Sequence, residues 1–551
     1  MKKTIALILS LLILVPLCVP AFAQDVITPQ SGGSVPVVLL AGDGNAIYDE
    51  NGNEAVKFDK AIKKLIGQDE DDSSSEESTL GESATNVLTS FILGVISGNY
   101  DEYYEKLQKE IAEMTDTLQM DENGNPRYGT DISAEDHETN RKRMTTPNRG
   151  TYYGVDDYHF WYDWRRDPLE VADELDAYIE AVCEMTGHEQ VGLIGRCLGA
   201  NFVLAYLAKY GYKNRIKGIG FDAGMMKGHD PMSESISGKF KTDGDSINRY
   251  LTDMEAIYGM EFDSWIKDLV DFMEHAEVLD GISVATKATI YDQVVEGVSS
   301  ALALSTLYTI PAYWSCVSEQ DYDDAMLYVF GEEGSEKREK YAGLIEKIEN
   351  YNAQVRQKED ILMKGFVAQG GNIAVISKYG FQMTPICISR NLVGDDLLSV
   401  HKSSMGATTS MLYDTLSDDY IAKRKAEGKG KYISPDKQVD ASTCMFPDNT
   451  WFTKGRDHSW WSDPENRILY TVTTADHQYT VDDFTYTQYL VYNAKTDTFA
   501  PMTTENCNTE NWQKETPKEE HSKVSRVFRF LQSFFKLFRR LVDLIKEKLG
   551  K

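Results

Sequence analysis

The chain contains few cysteines, few histidines and too few basic residues to balance its acids. Of 551 residues, 7 are cysteine and 9 are histidine, and 57 Lys and Arg oppose 87 Asp and Glu, for a formal net charge of −30. This charge argues against nucleic acid as the main partner, because affinity for a phosphate backbone comes largely from clustered Lys and Arg. So few cysteines cannot form a disulfide-built scaffold, and none shows the paired spacing of a zinc site. The sequence therefore predicts no metal, no cofactor and no nucleic-acid partner.

Apolar residues, in contrast, are present in the proportion that a globular protein needs. They make up 42% of the chain, and 11% is aromatic, which is enough to bury a large core. One large domain with insertions, or two domains, would fit this length. A disulfide between Cys387 and Cys444 is compatible with the sequence but cannot be deduced from it.

The N-terminal segment has the pattern of an export signal. The stretch MKKTIALILSLLILVPLCVPAFAQ combines a basic start, an apolar run and the small-residue pattern AFA. We expect a signal peptide over residues 1–23, cut before Gln24, and an exported protein that is extracellular or associated with the cell surface. Lipid attachment at Cys18 is the alternative, which Pro16 and Leu17 disfavour because that motif needs small residues.

The central part of the chain alternates between strand and helix patterns. Buried strands are predicted at VPVVLLAG (35–42), QVGLIG, IKGIGFDAG and GNIAVIS (371–377). Between them, a helix is predicted from the N-cap Asp167 to Gly187, and another over LGANFVLAYLAKY up to Gly211. Such alternation indicates an α/β protein with a mostly parallel sheet that carries function at the carboxyl ends of its strands. The Tyr-, Thr- and Val-rich segment 466–500 predicts β-hairpins.

Two segments look like insertions into this alternation. Residues 59–150 include DEDDSSSEES, an acidic, serine-rich run that is typical of a solvated linker, and a helical stretch suited to a cap or to packing. Residues 224–310 contain no clear strand and suit a helical cap over the edge of the sheet. The cap would then lie over the functional end of the strands.

The stretch Gly195-Arg196-Cys197-Leu198-Gly199 has the spacing of a nucleophile elbow. Its glycines allow a sharp turn from strand to helix, which exposes the central thiol; the alternative is a plain turn with a small buried cysteine. A helix N-terminus stabilises a thiolate. Arg196 either adds to this effect or points to solvent and pairs with a carboxylate. Cys197 is the predicted nucleophile, whereas Cys183, within a helix, is expected only to pack.

A thiolate needs a base and an acid, which this fold supplies downstream in the order Asp, His. The stretch TWFTKGRDHSWW places His458 in a loop after a short strand, whereas His401 and His477 lie in contexts typical of surface histidines. Asp395 and Asp396 follow another strand, and either could orient the imidazole. The other one would be a solvated or capping residue.

Several motifs resemble the lecithin:cholesterol acyltransferase and lysosomal phospholipase A group of α/β-hydrolases. They are VVLLAGDGN, YDWRRDPLEVADELDAYIEAV, LIGRCLGA, YWSCVSEQDYDDA, GDDLLSV with SSMGATT, and FPDNTWFTKGRDHS. The resemblance implies an α/β-hydrolase domain over residues 24–510 with the two insertions. It selects Asp395 over Asp396 as the acid, and it implies an oxyanion hole formed by the main-chain N–H groups of Asp43 and Leu198. The chain departs from the family where Cys197 replaces serine and where Asp396 and Ser399 replace glycine and proline.

The C-terminal segment differs in character from the acidic body. Residues 511–521 predict a linker, and residues 522–551 place apolar side chains on one helical stripe and basic ones opposite. Such a helix suits an anchor on anionic lipid, and docking on the protein's own body or on a partner is the alternative.

Together these features favour an exported acyl hydrolase or acyltransferase that acts on lipid-like esters through Cys197, Asp395 and His458. The alternatives are an inactive relative that binds lipid or protein, and a surface-anchored interaction protein that uses the fold as a scaffold. The sequence does not predict the oligomeric state.

Overall fold

A computed structural model provides the structure of the chain. It describes residues 35–42, 47–48, 54–56, 99–127, 148–152, 155–241, 244–258, 299–458, 463–485, 487–493 and 496–507, with single positions at 87, 90, 93, 94 and 297. The predicted signal peptide, the linker 511–521, the helix 522–551 and most of the first insertion lie outside these residues.

A nine-stranded sheet forms the centre of the described chain. Its order is β13-β12-β11-β8-β7-β6-β1-β5-β4, and every neighbouring pair is parallel except β12 with β13 and β4 with β5 at the two edges. The strands of this sheet are β1 (Val37–Leu40), β4 (Asn148–Tyr152), β5 (Val155–Phe160), β6 (Val191–Arg196), β7 (Ile216–Asp222), β8 (Asn372–Tyr379), β11 (Thr450–Lys454), β12 (Tyr489–Asn493) and β13 (Thr498–Pro501). Two small antiparallel pairs join β2 (Ile47–Tyr48) to β3 (Glu54–Val56) and β9 (Thr408–Thr409) to β10 (Val439–Asp440).

Helices connect and cover these strands. In the described ranges they are α1 (Asp101–Met114), α2 (Pro168–Thr186), α3 (Gly199–Tyr210), α4 (Asp230–Ile236), α5 (Gly244–Tyr258), α6 (Pro311–Trp314), α7 (Tyr322–Phe330), α8 (Glu336–Lys340), α9 (Ala342–Gln354), α10 (Glu359–Ala368), α11 (Val400–Ser403), α12 (Asp418–Ala426) and α13 (Glu465–Thr474). The described part of the second insertion, which includes α4 and α5, is mostly helical, with turns before α4 and an isolated β-bridge between Phe240 and Cys387.

Helix α2 begins and ends as its sequence predicts. The Asp167 carboxylate accepts a hydrogen bond from the Leu169 N–H at 3.0 Å, and Gly187 ends the helix in the left-handed conformation at φ +72°. Because only glycine adopts that conformation without side-chain strain, the helix stops there. Helices α2 and α3 pack on one face of the sheet.

The continuous apolar character of the strands reflects burial on both faces of the sheet. In β1, Val38 and Leu40 pack into the cluster that includes α2 and α3, whereas Val37 and Leu39 pack on the other face with α13. Alternate side chains of a strand point to opposite faces, so both sets must be apolar when helices cover both faces. The strands predicted at 35–42 and 371–377 are therefore confirmed as β1 and β8.

The prediction of hairpins throughout residues 466–500 is wrong for its first part. Residues 465–474 form α13, and among the described residues of the segment only β12 and β13 pair as antiparallel strands. The helix packs on the sheet through a stripe with helical spacing, formed by Ile468, Leu469 and Val472. It can lie close because the strands below it carry glycine: a Cβ on Gly218 would come within 2.7 Å of Thr473 Cα. The β-branched composition of this segment favours a strand, but burial of the apolar helical stripe outweighs that local preference.

The cysteines of the described chain form no disulfide. Cys387 and Cys444 are both free and buried, so the disulfide considered between them is absent. Cys183 is buried within α2, as its position in the sequence indicates. Among the residues that the structure describes, no helix combines the length and apolar character needed to cross a bilayer.

Candidate active site

Cys197 occupies the sharp turn between β6 and α3. Its backbone lies in the left-handed region at φ +53°, which is unfavourable for a residue with a side chain and is typical of functional sites. The turn is fixed by main-chain hydrogen bonds: the Cys197 N–H donates to the Asp222 carbonyl at 3.1 Å, and the Cys197 carbonyl accepts from Met225 N–H at 3.1 Å. The thiol is half-buried at the carboxyl edge of the sheet, at the N-terminus of α3.

The glycines of the elbow are required by close backbone approach. A Cβ on Gly195 would lie 2.8 Å from Ala200 Cα, and one on Gly199 would lie 2.7 Å from the carbonyl oxygens of Leu40 and Ala41. Real Cβ atoms do not approach other atoms so closely. A side chain at either position would force this backbone apart, which accounts for the glycines on steric grounds.

Arg196 turns away from the predicted thiolate. Its guanidinium is buried, lies 3.9 Å from the Asp222 carboxylate and donates a hydrogen bond to the Asn466 side chain at 2.5 Å. Asp222 also pairs with Lys378 at 2.9 Å, where both side chains are fully buried. Arg196 thus pairs with a carboxylate, as one of its two predicted placements requires, but in the protein interior and not in solvent.

His458 and Asp395 form a buried hydrogen-bonded pair. His458 lies in the loop after β11, and its Nδ1 is 2.9 Å from Asp395 Oδ2. The second oxygen of Asp395 accepts the main-chain N–H groups of Leu397 and Leu398 at 3.2 and 2.7 Å, which fixes the carboxylate. His458 Nε2 is buried and has no hydrogen-bond partner among the described residues. That nitrogen is therefore free to exchange a proton with a reacting group.

Asp396 is neither solvated nor a helix cap, contrary to the prediction for the second carboxyl. It is 2% exposed, has φ +84°, and its Oδ1 accepts the main-chain N–H of His458 at 3.2 Å. Burial, and then the charges of Asp395 and Asp457, raise the pKa of Asp396 well above its ordinary value. The His458 N–H also donates to the Asp395 main-chain carbonyl at 3.0 Å. The Asp396 side chain and the Asp395 main chain therefore both contact the backbone of His458, while the Asp395 carboxylate holds its ring.

His229 is a second buried histidine near this pair, and sequence reasoning missed it. Its Nδ1 accepts the Met232 N–H at 3.1 Å and so caps α4, and burial lowers its pKa to about 3, with the nearby His458 adding to the effect. The sequence does indicate the capping role of His229, because this residue stands directly before Asp230-Pro231, where a helix N-cap is expected. A histidine that remains neutral adds no charge beside His458.

The loop after β1 lies against the thiol. A Cβ on Gly42 would be 2.8 Å from Cys197 Cβ and 3.0 Å from its Sγ. Leu198, the other residue of the predicted oxyanion hole, follows the thiol at the N-terminal end of α3, where main-chain N–H groups have no acceptor within the helix. Asp43 lies outside the described residues.

Three strand ends bring the predicted residues to one edge. Cys197 follows β6, Asp395 lies in the segment after β8 and His458 follows β11, and these strands are near neighbours in the parallel part of the sheet. Residues 137–247 match a family model described as the alpha/beta hydrolase fold, and this segment contains the elbow. The chain has an α/β-hydrolase fold.

This fold class is the one that the sequence predicts, and it associates the chain with hydrolase-type activity. Among solved structures, the chain is similar to a chain in the crystal structure of the Tle4-Tli4 complex, at 12% sequence identity over 64% of this chain and 77% of that chain, with a TM-score of 0.25. No curated protein matches the sequence.

The residues at this edge of the sheet suit proton transfer and nucleophilic attack. A half-buried elbow thiol, a histidine whose Nε2 has no hydrogen-bond partner among the described residues and a carboxylate on its Nδ1 are the kinds of group that such chemistry uses. Within the described residues, no three His, Cys, Asp or Glu side chains are grouped so that they could hold a metal ion.

Proposed function

We propose that the protein is an acyl hydrolase or acyltransferase that uses Cys197 as its nucleophile, His458 as general base and acid, and Asp395 to orient the imidazole. The observation that carries this proposal is the coincidence of a strained elbow cysteine with a buried His458–Asp395 pair at one edge of the sheet. The main-chain N–H groups of Leu198 and Asp43 would stabilise the oxyanion.

The reaction proceeds in two steps. The Cys197 thiolate attacks the acyl carbonyl, the ester C–O bond breaks, and the leaving alcohol takes a proton from the His458 imidazolium, which leaves a thioester on Cys197. Water or an acceptor alcohol then gives a proton to the imidazole and attacks the thioester. The acid or a new ester departs, and the thiolate and imidazolium are restored.

The substrate class rests on the resemblance of the sequence motifs. The Tyr-Asp-Trp-Arg box, formed by residues 162–165, and the elbow are similar to those of the lecithin:cholesterol acyltransferase and lysosomal phospholipase A group. This resemblance favours lipid-like esters as substrates. The predicted signal peptide and basic C-terminal helix agree with an exported enzyme that meets such substrates at a membrane surface.

Labelling of the thiols tests the proposal. We expect a short-chain p-nitrophenyl ester to acylate Cys197, and iodoacetamide to alkylate the same residue with a pKa below the value of about 8.5 for a free thiol. Burial raises the pKa of Cys183 and Cys387, and that of Cys444 to about 12, so these thiols should react slowly. Mass spectrometry identifies the modified cysteine, and the rate of alkylation against pH gives its pKa.

Cys197→Ala is the matched control, since it removes the thiol and leaves the other cysteines in place. Loss of both adducts in this variant would support the assignment. An alkylation pKa at or above that of a free thiol, or ester turnover that persists in Cys197→Ala, would contradict it.

A further inference from the structure

The hydroxyl of Tyr162 contacts the loop that lies against the thiol. Tyr162 follows β5, the strand next to β1, and its Oη donates a hydrogen bond to the Ala41 carbonyl at 2.6 Å. Ala41 directly precedes Gly42, on which a Cβ would lie only 3.0 Å from the Cys197 Sγ. The phenol therefore reaches the site through the main chain of this loop.

The ring of Tyr162 cannot easily move. It is 1% exposed, stacks on Phe160 at a centroid distance of 5.5 Å and an angle of 13°, and contacts the Phe202 ring at 4.5 Å. Because Phe202 belongs to α3, the helix that begins at the elbow, one ring joins β5, the loop after β1 and the helix behind the thiol. A hydroxyl held this rigidly fixes the direction of the carbonyl that it contacts.

Fixing the Ala41 carbonyl also fixes an amide. The peptide unit from Ala41 to Gly42 is planar, and its N–H points opposite to its C=O. On the other side, the Ala41 oxygen packs so closely against Gly199 that a Cβ there would clash at 2.7 Å. The orientation of this peptide beside Cys197 is thus determined from two directions.

The rest of the Tyr-Asp-Trp-Arg box anchors this arrangement. Arg165 is fully buried and forms a two-pronged pair with Asp163, with Nε at 3.0 Å and Nη2 at 2.8 Å. Its Nη1 donates to the Thr117 carbonyl at 2.9 Å, and its own carbonyl accepts the Ala312 N–H at 3.3 Å. The segment that carries Tyr162 is therefore tied to distant parts of the chain and cannot shift with the loop.

We propose that Tyr162 is a positioning residue, which holds the Ala41–Gly42 peptide against Cys197 and thereby sets where the main chain enters the proposed oxyanion hole. This inference rests on the proposed function. It assigns to the tyrosine of the box a role in the acylation step, through the Ala41 carbonyl and not through contact with the substrate.

Tyr162→Phe tests this role, because it removes only the hydroxyl and retains the ring and its packing. We expect acylation of Cys197 by the p-nitrophenyl ester to slow about 10- to 100-fold. This loss is at most as large as the loss caused by removing an oxyanion donor itself. Alkylation by iodoacetamide should keep its rate and its pH profile, since displacement of iodide forms no oxyanion. The two rates are measured on the full chain by stopped-flow absorbance and by mass spectrometry.

Tyr178→Phe is the matched control. Tyr178 is also buried, and its hydroxyl donates to the main-chain carbonyl of His159 in β5 at 3.0 Å, away from the elbow. Both variants lose one tyrosine-to-carbonyl hydrogen bond, and only Tyr162→Phe should lose acylation rate. Equal acylation in Tyr162→Phe and the wild type, or an equal loss of acylation and alkylation, would overturn the role of Tyr162. A wild-type thiol that no ester acylates would instead contradict the proposed function.

Discussion

Two adjacent carboxyl groups hold one histidine in different ways. Asp395 contacts the ring of His458 through Nδ1, and Asp396 contacts its main-chain N–H. A carboxylate on Nδ1 sets the tautomer of the ring and stabilises the imidazolium that forms during catalysis, whereas a group on the main chain only sets the position of the loop. Substitutions at the three positions should therefore have unequal effects.

We expect His458→Ala and Asp395→Asn to lower ester turnover, the histidine change more strongly. In hydrolases with a comparable triad, replacing the acid by its amide costs on the order of 10⁴-fold, and removing the histidine costs more. Asp396→Asn should have a smaller effect, because asparagine still offers an oxygen to the His458 N–H and tolerates a positive φ. Steady-state kinetics on a soluble ester measure these effects.

His477→Ala provides the control for this series. His477 is exposed and follows α13, so its loss should leave turnover unchanged. If Asp396→Asn reduced turnover more than Asp395→Asn, the second carboxyl and not the first would serve the histidine.

Asp396 should also make the stability of the protein depend on pH. Its pKa is raised in the folded state, mainly by burial, so the unfolded chain loses this proton at a lower pH than the folded chain does. Between the two pKa values the folded state binds more protons, and the free energy of unfolding falls as pH rises. The destabilisation begins near the unfolded pKa of about 3.9 and increases up to the folded pKa.

Asp396→Asn should remove this contribution. Relative to the wild type, the variant should gain stability as pH rises above about 4, because asparagine does not titrate. Urea unfolding monitored by tryptophan fluorescence at a series of pH values gives both curves. Parallel curves would show that Asp396 does not retain its proton in the folded state.

At the scale of elements, the sequence predicts those whose ends carry distinct signals. Helix α2 has a capping Asp167 and a terminal Gly187, and both function as the pattern indicates. Helix α13 has neither: its N-cap is Pro464 without a side-chain hydrogen bond, and its interior is rich in Tyr, Thr and Val. Its helical state depends on packing across the glycines of β6 and β7, which no local pattern contains.

The same distinction applies to the candidate site. Cys197 and His458 could be selected because each stands in a recognisable motif after a strand, whereas only the family resemblance selected Asp395 over Asp396. The structure brings Asp395 and His458 into contact. The buried position of Asp396, the direction of Arg196 and the hydroxyl of Tyr162 on the Ala41 carbonyl depend on how distant segments meet. Such long-range contacts leave no signature in local sequence.

For the whole molecule, the distribution of charge suggests that membrane binding and chemistry can be separated. The chain carries a net charge of −30, yet residues 522–551 predict a basic amphipathic helix after a polar linker. An acidic body is repelled by anionic lipid, so attraction to such a surface would have to come from the C-terminal helix. The candidate catalytic residues all precede the linker.

Removal of residues 522–551 should therefore release the protein from anionic vesicles and leave activity on a soluble ester intact. Binding of the full chain should weaken with salt, because attraction between basic side chains and lipid headgroups is screened beyond a Debye length of about 8 Å near physiological ionic strength. Co-sedimentation of both forms with phosphatidylserine-containing and with neutral phosphatidylcholine vesicles, at low and high salt, measures this binding.

The neutral vesicles control for purely apolar adsorption, and thermal unfolding of both forms controls for folding of the body. A truncated chain that binds anionic vesicles as well as the full chain would place the membrane contact elsewhere, and one that unfolds would show that the segment packs on the body as part of its core.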